Sequence, residues 1–135
     1  MQRTLVIVKP DGVRRRLIGE VISRIEDKGY EIRELKLFSI DGDLARRHYA
    51  EHTEKPFFGE LVSFITSGPV AAMVVEGPDV IAAVRMIMGP TNPVEAPPGS
   101  IRGDYASAMT ENIVHGSDSP KAAAREVDLF FGESL

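Results

Sequence analysis

The sequence predicts an α+β sandwich, a small sheet with helices over one or both of its faces. Three observations carry this. Four short runs rich in apolar and β-branched residues read as strands, amphipathic helical stretches fall between them as connections, and no repeat, low-complexity tract or linker divides the 135 residues. With 43% hydrophobic and 27% charged positions, residues 1–135 have the size and balance of one globular domain with its own core.

Arg3 to Val8 is a β-branched run that ends in the turn Lys9-Pro10-Asp11-Gly12 and reads as a buried strand. Ile18 to Lys28 carries Ile18, Val21, Ile22 and Ile25 at helical spacing, with Gly29 where a C-terminal cap belongs. Tyr30 to Ile40 alternates apolar and charged side chains as a half-exposed strand does. Asp43 to His52 and, after Pro56, Phe57 to about Ser67 form a helical hairpin. Val70 to Val75 is a central strand, and Pro78 opens a helix whose apolar face is Val80, Ile81, Val84 and Ile87, ending at Gly89. Gly89 to about Glu111 has no sustained period and holds four prolines. A loop of that length in a small domain is functional or an assembly element more often than it is disordered. Ile113-Val114-His115 is a last short strand, and Ser119 can cap a final helix from Pro120 to Phe131.

Composition excludes several classes. A net charge of −4 and a pI near 5.4 argue against nucleic-acid binding driven by overall charge. Without cysteine there is neither a disulfide scaffold nor a thiolate zinc site. No apolar run approaches the roughly 20 residues that span a bilayer, and Leu5-Val6-Ile7-Val8 is too short for a signal-peptide core, so a soluble cytoplasmic protein without a membrane partner is expected.

The chemistry concentrates in Asn112-Ile113-Val114-His115-Gly116-Ser117-Asp118-Ser119. A neutral imidazole is a nucleophile or proton shuttle near pH 7, and here small residues leave room for an approaching group. Alone, a histidine at a strand end is more often a hydrogen-bonded structural residue. Both the G-x-x-x-x-G-K-[ST] loop and the G-x-G-x-x-G fingerprint are absent. Lys9, Arg85, Thr91 and Arg102 nevertheless stand at element ends or in the long loop, where they can face an oligophosphate, and arginine suits bidentate phosphate contact. Each by itself is also an ordinary surface group. His48-Tyr49-Ala50-Glu51-His52 matches the zinc pattern H-x-x-E-H, but such a site needs a third ligand placed by the fold, and a polar helix face is the better reading. Phe58 reads as core, while Phe57, at a helix start beside the long loop, can stack a flat base.

Together, Lys9-Pro10-Asp11-Gly12, His48-Tyr49, Pro56-Phe57-Phe58, Ser67-Gly68-Pro69-Val70, Thr91-Asn92-Pro93, Ile101-Arg102-Gly103-Asp104 and Asn112-x-x-His115-Gly116-Ser117-Asp118-Ser119 resemble the nucleoside diphosphate kinases. The resemblance runs from the first strand to the last helix. It implies a ferredoxin-like α+β fold with a four-stranded antiparallel sheet. It also implies transfer of the γ-phosphate of a nucleoside triphosphate to a nucleoside diphosphate, ping-pong, through a phosphohistidine at His115.

By the same resemblance Glu126 orients the histidine, and His115, Glu126, Lys9 and Tyr49 form the catalytic set. Arg85, Thr91 and Arg102 would hold the phosphates, and Lys9 and Asn112 the sugar hydroxyl and its neighbouring phosphate. His48 would line the phosphate end beside Tyr49, with Gly116, Ser117 and Asp118 bracing the site. The base would lie between Phe57 and Met109 with Leu61 beside it, and stacking without edge contacts implies broad base use. Family members often carry a β-branched residue where Met109 stands, a role a flexible thioether can fill. Magnesium would arrive on the nucleotide phosphates, with no metal site of the protein's own. A homo-oligomer is implied, commonly a hexamer and in some bacteria a tetramer. Pro93 lies in the loop of trimer contacts, whereas the short tail Gly132-Glu133-Ser134-Leu135 lacks an extension many members use between subunits; the hexamer is favoured. Two rival readings are a regulator with this fold and no turnover, against which every expected polar residue is retained, and a small nucleic-acid module, against which the pI and the missing strand aromatics weigh. Nucleic acid is thus at most a secondary partner.

Overall fold

The first strand, β1 (Gln2–Val8), carries a continuous apolar run, and such a run is stable in a strand covered on both faces. Leu5, Val6, Ile7 and Val8 are all buried. The structure, a computed structural model, describes residues 1–132. In chain order β1 is followed by α1 (Pro10–Arg14), α2 (Ile18–Asp27), β2 (Glu31–Ser39), α3 (Gly42–His48), a 3-10 turn (Ala50–His52) and α4 (Phe58–Ile65). Then come β3 (Pro69–Gly77), α5 (Val80–Met88), a second 3-10 turn (Pro93–Glu95), α6 (Ile101–Tyr105), β4 (Val114–Gly116) and α7 (Pro120–Phe131).

The four strands lie in the order β2-β3-β1-β4, and every pairing is antiparallel. This is the expected ferredoxin-like sheet, with helices on both faces. Because side chains alternate along a strand, Val6, Val8, Met73, Val75 and Val114 pack one face against Val21 and Ile25 of α2 and Val80, Val84 and Met88 of α5. Leu5, Ile7, Val70, Ala72 and Val74 pack the other against Ala45 of α3, Ile65 of α4 and Val127 and Phe130 of α7. Each fully buried aliphatic side chain contributes about 1.5–3 kcal/mol. In β4, His115 pairs with Ile7 and so faces α3 and α7.

Several boundaries differ from the sequence expectation. Lys9-Pro10-Asp11-Gly12 is no simple turn: Pro10 starts the one-and-a-half-turn helix α1, too short for a period to show. Pro78 precedes α5 rather than opening it, because Asp79 takes a left-handed backbone at the cap. The first helix of the hairpin stops at His48, with 50–52 tightened into 3-10 geometry. The long loop contains a 3-10 turn and α6, the latter capped by Ser100, whose hydroxyl accepts the Gly103 N–H at 3.1 Å. The last strand runs from Val114 to Gly116, one residue later than expected, because Ile113 has φ 76°.

In β2 a bulge between Ile32 and Glu34 shifts the alternation. Leu35 and Leu37 consequently share a face with Met73 and Ala71 but lie outside the packed cluster, 51% and 64% exposed. Ser119 caps α7 as predicted, accepting the Ala122 N–H at 3.1 Å. Among the described residues no helix is long and apolar enough to cross a membrane. The tail at 133–135 lies outside the described residues.

Candidate active site

β4 is only three residues long, and it delivers His115 into a cleft of about 490 Å³ between α3, α4, α5, α7 and the long loop. Gly116 is closely packed there: a Cβ would stand 2.9 Å from the flexible Met88 Sδ and 3.1 Å from Val84 Cγ1. On the side of α7, His115 Nε2 lies 2.8 Å from Glu126 Oε1, and the Ser117 hydroxyl donates to the same oxygen at 2.7 Å while accepting the Leu5 N–H at 3.3 Å. Burial pushes the Glu126 carboxyl up, but the hydrogen bond and charge of His115, with Ser117, outweigh it and hold the group down at about 2. An ionised carboxylate only accepts, so Nε2 carries the proton and Nδ1 is left free of this bond.

The sequence reading of Glu126 as an orienting group thus coincides with a buried carboxylate, not a solvated one. His48 packs edge-on to His115, ring centroids 4.8 Å apart, and against Phe130 at 5.3 Å. Burial, then the charge of His115, lowers it to about 3, so it is a neutral imidazole throughout the physiological range. Tyr49 packs tilted against His48, ring centroids 4.7 Å apart and planes at 60°; burial, then the Glu126 charge, raises its phenol to about 12, which keeps the hydroxyl protonated.

The opposite wall is cationic. Lys9 Nζ donates to Asn112 Oδ1 at 2.8 Å, and Asn112 Nδ2 to the Thr91 carbonyl at 3.4 Å. Arg102 donates to the carbonyls of Gly89 (2.9 Å), Asn112 (3.3 Å) and Val114 (2.7 Å), which pins the long loop to β4. Only part of its guanidinium is left for a ligand, so Arg102 is more a structural clamp than its place in the sequence suggests. Exposed Arg85 leans on the Gly116 carbonyl at 3.4 Å. Burial, then Arg102, lowers Lys9 to about 8, with Asp11 opposing; burial, then Arg85, lowers Arg102 to about 10. Both remain charged at pH 7. Three cations crowded in one wall favour a polyanion.

At the far end Phe57 and Met109 are 43% and 58% exposed and line the cleft with Leu61. The Lys55 ammonium lies 5.6 Å from the Phe57 ring centroid. Thr91 and exposed Asp118 also line the cleft, and Ser117 stands behind it in the wall, fully buried. Every residue expected from the sequence is therefore at or directly behind one cleft.

The H-x-x-E-H pattern is corrected. The α-helix ends at its first histidine, which is buried rather than on a polar face, so the two imidazoles do not share a helix face. Among the described residues the only cluster of metal-ligand type is His48, His115 and Glu126, with ligand atoms within 4.8 Å, and its carboxylate is already bonded to His115 and Ser117. Sequence reading missed Arg125, which lines the cleft and donates to the Arg47 and His48 carbonyls at 3.0 and 3.1 Å. Nothing in its spacing separates it from a surface arginine. Asp11 is buried, and the sequence marks it only as part of Lys9-Pro10-Asp11-Gly12.

A sequence model of the family described as nucleoside diphosphate kinase matches residues 2–135. The nucleoside diphosphate kinase of Rubrobacter xylanophilus is 63% identical over 132 residues, 98% of this chain and 99% of that protein. That of Thermus thermophilus is 60% identical over 131 residues, 97% and 96%. The structure of a halophilic nucleoside diphosphate kinase from Halobacterium salinarum in complex with CDP superposes with TM-score 0.96 at 52% identity, covering 98% of this chain and 89% of that one. With its cleft, its cationic wall and these relatives, the chain belongs to the nucleoside diphosphate kinase family and is an enzyme of nucleotide phosphotransfer.

Proposed function

We propose that the chain, acting as one domain over 1–135, moves the γ-phosphate of a nucleoside triphosphate to a nucleoside diphosphate in two half-reactions through His115. The observation that carries this is the Glu126–His115 pair: an ionised carboxylate holds Nε2–H, so the Nδ1 lone pair is available beside the cationic wall. Nδ1 attacks the γ-phosphorus in line, the bond to the β-bridging oxygen breaks, and the diphosphate leaves with that electron pair. Glu126 offsets the positive charge that develops on the ring. In the second half-reaction a terminal oxygen of the acceptor diphosphate displaces Nδ1 and restores the free imidazole.

Arg85, Thr91 and the free part of Arg102 neutralise the phosphates. Lys9 and Asn112 meet the sugar hydroxyl and its phosphate, and Tyr49 and His48 close the phosphate end, with Gly116, Ser117 and Asp118 bracing it. The base lies between Phe57 and Met109 beside Leu61. The exposed faces of Phe57 and Met109 suit stacking on any base, which supports broad base use; the Halobacterium relative, solved in complex with CDP, supports a nucleotide as the ligand. The cationic wall suits phosphates rather than a bare cation, so Mg²⁺ fits as a companion of the nucleotide, where it spreads the phosphate charge when bound. A cytoplasmic homohexamer, rather than a tetramer, is part of the same reading.

Incubation with magnesium and [γ-³²P]ATP is expected to leave one acid-labile phosphate, mapped to His115 and discharged by GDP as GTP, and none on H115Q. Stable phosphate on another residue, or equal labelling of H115Q, would overturn this mechanism.

A further inference from the structure

We propose that Asp11 is a positioning residue of phosphotransfer: its carboxylate holds Ile113 in a left-handed backbone and thereby sets where His115, two residues on, presents its imidazole. This rests on the reading of His115 as the phosphate carrier. Ile113 is fully buried with φ 76°, a conformation that a β-branched side chain rarely adopts. The Val114 N–H donates to the Asn112 carbonyl at 2.8 Å across it, the bond of a γ-turn of positive φ, which is the strained form. Such a residue persists only where its surroundings over-determine it, and here they do. Asp11 Oδ2 accepts the Ile113 N–H at 3.1 Å, and the Lys9 N–H donates to the Ile113 carbonyl at 2.7 Å.

The carboxylate reaches this N–H across 102 residues of sequence, out of its own short helix rather than along it. Gly12 lets α1 come this close: a Cβ there would stand 3.1 Å from the Ile113 carbonyl oxygen and 2.8 Å from Val8 Cγ1. β4 is held by this turn together with Arg102, which donates to the Asn112 and Val114 carbonyls on either side of Ile113. It is three residues long and pairs only with β1, through Val8↔Val114, Ile7↔His115 and Val6↔Gly116. Release of Ile113 would change the direction in which the chain enters β4, and a small displacement of an in-line nucleophile is felt strongly in rate.

The test is rapid-quench phosphorylation by magnesium and [γ-³²P]ATP in a single turnover, with ADP binding measured by calorimetry, on the full chain and its variants. Asp11→Ala is expected to slow phosphorylation by roughly 10- to 100-fold with ADP affinity changed less than about threefold. Asp11→Asn keeps an oxygen that accepts the Ile113 N–H and is expected to stay within about threefold of wild type. If Asp11→Ala does not fold, Asp11→Glu, which displaces the acceptor by one methylene, is expected to show a slowing of about tenfold instead. Wild-type rates in Asp11→Ala or Asp11→Glu, or equal losses in rate and ADP affinity, would overturn the role of Asp11. A wild-type chain that takes no phosphate on His115 would instead overturn the carrier reading, and the role of Asp11 with it.

Discussion

The two ends of the cleft are built differently. At the phosphate end Lys9, Arg102, Asn112, Ser117 and Glu126 are buried and tied by hydrogen bonds to one another or to backbone carbonyls, and the buried His48 ring is held by packing against His115 and Phe130. At the base end Phe57 and Met109 stand exposed, with the Lys55 ammonium and the His52 ring beside Phe57. On the proposed reading, in which the buried end meets the phosphates and the open end the base, the difference matches what each end must do. Groups that meet the transferring phosphoryl gain from being fixed in advance, whereas a surface that accepts any base gains from offering only a flat apolar face.

If the buried end is preorganised, loss of one hydrogen-bonding partner there should act on kcat. Glu126→Gln is expected to lower kcat by about 100-fold with little change in KM, read in a coupled steady-state assay. The same variant has a stability signature. Because the folded carboxyl is held near 2, below its ordinary 4.5, its contribution is complete above the ordinary value and is lost as pH falls from there toward 2. Chemical denaturation of Glu126→Gln across that window should show a shallower acid loss than wild type.

Lys9 tests the same end from the alkaline side. With its folded pKa lowered from 10.5 to about 8, it loses its charge as pH rises through 8, and the phosphorylation rate should fall there. Between the two values the unfolded chain binds more protons than the folded one, so the Lys9 contribution to stability rises with pH while the rate falls. A rate loss accompanied by unfolding would assign the fall to something else. Lys9→Gln should remove the alkaline limb. The smallest effects belong to the open end: Phe57→Ala is expected to raise KM about tenfold for purine and pyrimidine substrates alike, with kcat within about threefold. Met109→Val should change neither by more than about threefold. A large and base-selective effect at Met109 would end the contrast between the two ends.

Legibility in the sequence follows the same division between local and distant causes. The β1 run, the alternation in β2 and the Ser119-Pro120 start of α7 are local patterns, and the elements they predict are present. α1 and α6, five residues each, are shorter than two helical turns and left no period to find. The site residues were legible as motif positions, but their physical state was not. That Glu126 is buried, that Arg102 spends most of its guanidinium on carbonyls, and that Asp11 meets Ile113 are consequences of chain segments brought together by the sheet. His48 shows the converse: its short match to a zinc pattern carries no site, because the α-helix ends at this residue.

The stereochemical course of transfer reads the role of His115 most directly. With a triphosphate whose γ-phosphorus is chiral through isotopic oxygen and sulfur, two in-line displacements, one onto His115 and one off it, each invert the phosphorus. Net retention in the product is expected; net inversion would mean a single direct transfer between the nucleotides, with no phosphate ever resting on His115.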